Sequence, residues 1–127
     1  MNTRRKVLSA AIVGLAIPAV MLLAQGPAGA QDSSAFQKKC MACHGDAAPA
    51  AIKGPSLKGV FGRSVAADKA YAYSDGLKAK SSQKWTQANL DAFLNDPSAW
   101  AAGTKMKGKS TDPTERAAII EALKTYK

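Results

Sequence analysis

Two cysteines and one histidine make up the whole thiol and imidazole supply of this 127-residue chain, and all three fall within Cys40-Met41-Ala42-Cys43-His44. Thiols three positions apart on a helix share one face, where both can form thioethers with the vinyl groups along one edge of a porphyrin. The imidazole of the next residue then reaches the iron from the near side. Cys-x-x-Cys-His is the attachment pattern of c-type haem. Other uses of the pattern fit less well. A thioredoxin-like dithiol belongs at a strand-to-helix junction in a βαβ setting, and none is visible. A structural zinc takes about four protein ligands, and beyond two Cys and one His this chain offers only carboxylates. A structural disulfide or a haem-free dithiol is the remaining bland reading.

An iron bound by His44 needs its second axial ligand from another residue type, because there is no second histidine. Met1 and Met21 lie in the N-terminal leader, and Met41, three residues before His44, cannot reach the opposite face of the porphyrin. Met106 remains. A lone methionine is ordinarily a core filler, but Gly103-Thr104-Lys105-Met106-Lys107-Gly108 is a polar, glycine-flanked setting better suited to ligation. His/Met ligation raises the reduction potential and fills both axial positions. A saturated iron favours electron transfer over oxygen or peroxide chemistry, so no catalytic residue is expected.

The elements that position these groups are read as helices. Asp32-Ser33-Ser34 offers N-caps for a short helix through Ala35 to Cys40, with Phe36 and Cys40 on one face. Thr86 caps a second helix with Leu90, Phe93 and Leu94 at i, i+3, i+4, stopped by Asn95-Asp96-Pro97. Asp112-Pro113-Thr114-Glu115 opens a third, with proline at its first position, Glu115 placed for a capping box, and a stripe of Ile119, Ile120 and Leu123. No stretch alternates apolar and polar residues, so no strand is expected. Residues 45–84 are rich in glycine and proline and lack helical period. A segment that long is reasonable in a small domain if it wraps a large cofactor that serves as core.

Residues 1–30 read as a secretory leader. A positive run, Asn2-Thr3-Arg4-Arg5-Lys6, precedes the apolar stretch Val7 to Ala24, and Ala28-Gly29-Ala30 is a small-x-small cleavage pattern. A retained membrane anchor is the competing reading, which Pro18 and the cleavage pattern disfavour. The paired arginines resemble a twin-arginine signal, but that route carries folded proteins, and haem attachment after export points to a Sec-type leader. The expected organisation is therefore a cleaved segment 1–30 and one domain, 31–127, in the periplasm. The leader holds three of the eighteen Lys/Arg and none of the nine Asp/Glu, which leaves fifteen against nine and a formal +6. No nucleic-acid motif interleaves the lysines. An acidic protein partner fits the sign better.

With these residues on the page, segment 31–127 resembles the class I cytochromes c of the mitochondrial and short bacterial type. The likeness rests on Cys40 to His44, on Lys53-Gly54-Pro55-Ser56-Leu57-Lys58-Gly59-Val60-Phe61-Gly62-Arg63 and on Tyr71-Ala72-Tyr73-Ser74-Asp75. Trp85, Leu90 through Asn95-Asp96-Pro97, Gly103-Thr104-Lys105-Met106 and Glu115-Arg116 with Ile119-Ile120 complete it. The resemblance implies an all-α fold, three main helices and long loops wrapped around one haem c bound through Cys40 and Cys43. It implies that Pro55 presents its carbonyl to His44, that Arg63, Tyr73, Trp85 and Thr104 surround the propionates, and that Leu57, Leu90, Phe93 and Leu94 line the pocket. By residue type alone, Tyr73 and Trp85 serve as well for core aromatics, Arg63 for a solvated charge and Pro55 for a turn.

Three departures from the family pattern set further expectations. Ala102 stands where a proline usually precedes Gly-Thr-Lys-Met, which leaves φ less fixed on the ligand loop. Lys107-Gly108 replaces an aromatic after Met106, which implies a more exposed haem edge and a Met106–iron bond that is easier to displace at high pH. Asp32 and Ala122 replace a glycine and an aromatic at the crossing of the first and last helices, so that crossing must pack differently. The expected function is one-electron transfer by a monomer between larger redox proteins, with Lys53, Lys58, Lys78, Lys80, Lys84, Lys105, Lys107 and Lys109 near the haem edge. The rival readings are a haem protein in which a small ligand displaces Met106, and a cytochrome tethered to a membrane by an uncleaved leader.

Overall fold

A computed structural model describes the backbone of residues 28–127, and side-chain surroundings from Ser34 onward. The expected leader and its charged and apolar regions lie outside the described residues, apart from the Ala28-Gly29-Ala30 backbone.

Five helices follow in order among the described residues: α1 (Ala28–His44), α2 (Asp75–Lys78), α3 (Gln87–Asn95), α4 (Pro97–Trp100) and α5 (Pro113–Thr125). Among the described residues there is no strand, only one isolated antiparallel bridge between Ser64 and Lys84. The helices pack as α1 on α5, α3 on α5 and α3 on α4.

Helix α1 is longer than the expected one. It runs from Ala28 straight through Asp32-Ser33-Ser34 instead of starting there. These residues favour caps, yet each costs only about 0.7 kcal/mol or less in a helix interior, so nothing forces a start at that point. Phe36 and Cys40, one turn apart, are both buried, and His44 is the last helical residue.

Helices α3 and α5 begin where their caps predict. Thr86 Oγ1 accepts from the Asn89 amide at 3.2 Å, and Asp112 Oδ1 accepts from the Thr114 amide at 2.8 Å with Pro113 opening the helix. Glu115 departs from the expected capping box. Its carboxylate accepts from the Ser110 hydroxyl and pairs with Lys39 at 3.5 Å, so it ties α5 to the preceding loop and to α1. Arg116 is buried, and donates from Nε to Asp91 at 2.7 Å and from a terminal nitrogen to Asn95 at 3.2 Å and the Ser110 carbonyl at 3.0 Å. A buried cation is tolerated only with such full partnership, and this one fastens α3 to α5.

The α1–α5 crossing is filled from a position the sequence did not suggest. Ala122 leaves room, and Tyr126, one turn on, brings its ring to 5.1 Å from that of Phe36. Residues i and i+4 share a helix face, so an aromatic displaced by one turn still reaches the same gap.

The segment 45–84 is irregular but not loose. The Gly62 amide donates to Trp85 at 2.9 Å, the Val65 amide to Gln83 at 2.9 Å and the Trp85 amide to Arg63 at 2.8 Å, which closes the base of a long loop. The single-turn helix α2, capped by Ser74, lies inside that loop.

Candidate functional site

The end of α1, the closed loop, α3 and the stretch after α4 enclose a cavity of about 380 Å³. Binding pockets span about 300–1,000 Å³. Cys40, Cys43, His44 and Met106 all line it, as do Pro55, Arg63, Tyr73, Trp85 and Thr104. Every site residue named from the sequence is therefore at one place. Leu57, Leu90, Phe93 and Leu94 make its walls as expected, joined by Val60 and Leu77.

His44 is held from two directions. Its Nδ1 lies 2.8 Å from the Pro55 carbonyl. A carbonyl only accepts, so Nδ1 is the donor there, and in the neutral imidazole that tautomer leaves the lone pair on Nε2. Behind the ring, the Gly54 amide donates to the Cys43 carbonyl at 2.7 Å. A Cβ on Gly54 would fall 2.6 Å from His44 Cε1, which no real contact allows. The Gly-Pro pair thus both bonds the imidazole and leaves it room. Gly54 was missed as a site residue, and its place before Pro55 was the only signal.

Cys40 is buried, and its thiol is pushed up to about 11 by that burial, with the charge of Glu115 and the neighbouring Cys43 adding to the shift. It stays protonated and uncharged at neutral pH. The two cysteines are not joined in a disulfide.

The polar edge bears on what the cavity is shaped to hold. Arg63 donates to the carbonyls of Lys58 at 3.2 Å and Ser56 at 3.0 Å, while its buried Nε has no protein partner. Buried donors are nearly always satisfied. Arg63 is one of the residues that line the cavity, and a cation beside apolar walls suits an occupant that is largely apolar and carries an acid group. A porphyrin with propionate side chains answers that description, and two thiols, an imidazole and a thioether are the donor set for its vinyls and its iron. The residues present fit the group. Burial pushes the Tyr73 hydroxyl above its usual range, with the Asp68 backbone and Arg63 pulling the other way. Thr104 is buried, and its hydroxyl accepts from the Met106 amide at 3.4 Å.

An aromatic group backs the wall. Trp85 and Trp100 stack with centroids 5.2 Å apart, and Phe93 lies 5.1 Å from the first and 5.6 Å from the second. Trp100 went unnoticed in the sequence, since α4 is one turn long and shows no period.

Of the eight lysines expected at the edge, Lys53, Lys105 and Lys107 line the cavity. Lys58, Lys78, Lys80, Lys84 and Lys109 do not line it; Lys78 pairs with Asp75 at 3.5 Å and the Lys80 ammonium sits 4.5 Å over Trp100. Lys39, which the sequence did not single out, does line it. Among the described residues no helix is long and apolar enough to cross a membrane.

No protein-family model matches the chain. Individual relatives do. The chain is 40% identical to cytochrome c2 of Rhodospirillum rubrum over 117 residues, 83% of this chain and 84% of that protein. It is 35% identical to cytochrome c-550 of Paracoccus denitrificans, over 69% of this chain and 68% of the relative. Among solved structures, cytochrome cH from Methylobacterium extorquens superposes with a TM-score of 0.66 at 38% identity, covering 76% of this chain and 97% of the other. Cytochrome c2 from Rhodospirillum centenum gives the same score at 34% identity, covering 77% and 97%.

Proposed function

This chain belongs to the class I cytochrome c family, and on that premise we propose that it is a periplasmic one-electron carrier with His44 and Met106 as axial ligands. The bound haem supplies the chemistry, a one-electron exchange between ferrous and ferric iron.

The chain's own residues hold and tune that group. Cys40 and Cys43 anchor it through two thioethers, which a covalently held carrier needs if it is not to lose its cofactor by dilution. His44 offers Nε2 to the metal with its ring orientation set by Pro55, since a donated Nδ1–H fixes both tautomer and angle. Met106 would supply a thioether to the iron, a ligand type that favours the reduced state. Arg63, Tyr73, Trp85 and Thr104 neutralise and bond the acid groups at the polar edge, so that two carboxylates can sit half out of water. A haem iron held by both His44 and Met106 would favour electron transfer over turnover of a substrate.

The observation that carries this reading is the convergence of Cys40, Cys43, His44 and Met106 on one cavity that Arg63 also lines. Visible spectra of the purified oxidised and reduced protein, with its intact mass, test it. The expected result is covalently bound haem, a low-spin reduced spectrum and a weak red band from methionine–iron ligation. A protein without that band refutes Met106 as ligand, and one without covalent haem refutes the whole reading.

The partner side follows from charge. Lys39, Lys53, Lys105 and Lys107 stand at the cavity, and the chain after residue 30 carries a formal +6. That field steers a monomeric carrier toward an acidic patch on a larger redox protein and keeps the complex short-lived. Bimolecular electron-transfer rates fall as ionic strength rises past the point where screening sets in, at a Debye length of about 10 Å in 0.1 M salt. A flat salt profile rules this docking mode out.

A further inference from the structure

The loop that presents Met106 has lost the proline that usually stiffens it, yet its backbone is gripped from the side. A Cβ on Gly76 would lie 2.1 Å from the carbonyl oxygen of Ala102, 2.9 Å from the Ala102 nitrogen and 3.0 Å from the Ala101 carbonyl carbon. All three obstructing atoms are backbone, so no side chain can swing aside to make room. Next to this contact the Lys105 ammonium donates to the Ala72 carbonyl at 2.7 Å and lies 5.6 Å from the centroid of Tyr71. The stretch from Tyr71 to Gly76 therefore meets the stretch from Ala101 to Lys105 at both ends. The inner face of the loop is fixed as well, with Ala101 fully buried and its carbonyl accepting from the Thr104 amide at 3.1 Å.

We infer that Gly76 is a positioning residue for Met106: its bare backbone lets α2 dock flat against Ala101 and Ala102, and that docking, with Lys105 as a second tether, sets the reach of the ligand loop. The inference rests on Met106 being the axial ligand. It also reverses the usual sign of a substitution. Gly76 is the second residue of α2, and alanine inside a helix is normally the more stable choice. Here the added methyl must push Ala102 outward, and the loop takes Met106 with it.

The test compares holo-proteins. Gly76→Ala is expected to lose most of the red methionine–iron band at neutral pH and, in the ferrous state, to bind carbon monoxide about tenfold faster, the size of effect that forced overpacking produces. Lys105→Ala, which removes only the tether, shows a smaller change of the same kind. Ile120→Val thins the core away from the cavity; it lowers the melting temperature and keeps the band, which separates positioning from general destabilisation. Full wild-type band and carbon monoxide kinetics in Gly76→Ala overturn the inference. If that variant yields no holo-protein, Lys105→Ala decides, and an unchanged band there overturns it. Hydrogen exchange at the Thr104 amide reads the docking without reference to the metal: it accelerates in both variants if the inference holds. A wild type lacking the red band sinks the ligand assignment alone, and Thr104 exchange still judges the docking.

Discussion

His44 closes a 17-residue helix with its ring bonded at 2.8 Å to Pro55 and backed by bare glycine, whereas Met106 lies in an irregular stretch where its amide makes one long bond, 3.4 Å, to Thr104. The histidine side is built from local contacts, since Cys43, His44, Gly54 and Pro55 are within a dozen residues of one another. The methionine side is held by distant ones as well, from Tyr71–Gly76. Such a division assigns identity to one side and adjustment to the other. A ligand fixed by its own helix is hard to lose, and a ligand on a docked loop responds to every change at the docking surface.

Breaking the comparison begins with the ligands themselves. His44→Ala is expected to abolish the low-spin spectrum and most of the yield of folded holo-protein, the largest effect of all, measured by absorbance and by purification yield. Met106→Ala is expected to fold and retain covalent haem while losing the red band. Its cost is about 2 kcal/mol in denaturant unfolding, the low end for Met→Ala because the side chain is half-buried. Equal damage from the two would end the claim that the sides differ. Gly54→Ala sharpens it: a methyl 2.6 Å from the imidazole costs about 1–3 kcal/mol, with the red band kept, because the strain falls on a ring carried by α1 and not on the stretch that bears Met106.

The smallest effect is a pH dependence. The Tyr73 hydroxyl is raised above its ordinary value of 10, chiefly by burial. A folded state that holds the proton more tightly is favoured below that value and loses the advantage as pH climbs through the raised one. Unfolding midpoints should therefore drop above pH 10, and Tyr73→Phe should flatten that part of the curve.

The site was more legible than the frame around it. Scarcity made Cys40, Cys43, His44 and Met106 readable, because a chain with one histidine and few methionines leaves little choice. Caps made α3 and α5 readable, since Thr86 and Asp112-Pro113 act within a few residues of themselves. The start of α1 was misread because Asp32-Ser33-Ser34 can sit inside a helix as well as open one. Helices α2 and α4 span a single turn each, too short for any period to emerge. Glu115 and Tyr126 take partners that three-dimensional packing supplies, and Gly76 is required by a backbone on the far side of the chain. Close approach of that kind leaves no mark on the residues nearby. The easier displacement of Met106 expected from Ala102 and Lys107-Gly108 stands beside a docking of Gly76 that the sequence did not announce.

The stack of Trp85 on Trp100 has an optical consequence. These are the only tryptophans in the chain, and one of them forms the cavity wall. Light absorbed by either indole passes to a coloured neighbour before it can be emitted, so the native carrier should be nearly dark in the ultraviolet. When the wall opens, the emission returns. The protein therefore carries its own lamp, lit by the loss of the fold that encloses it.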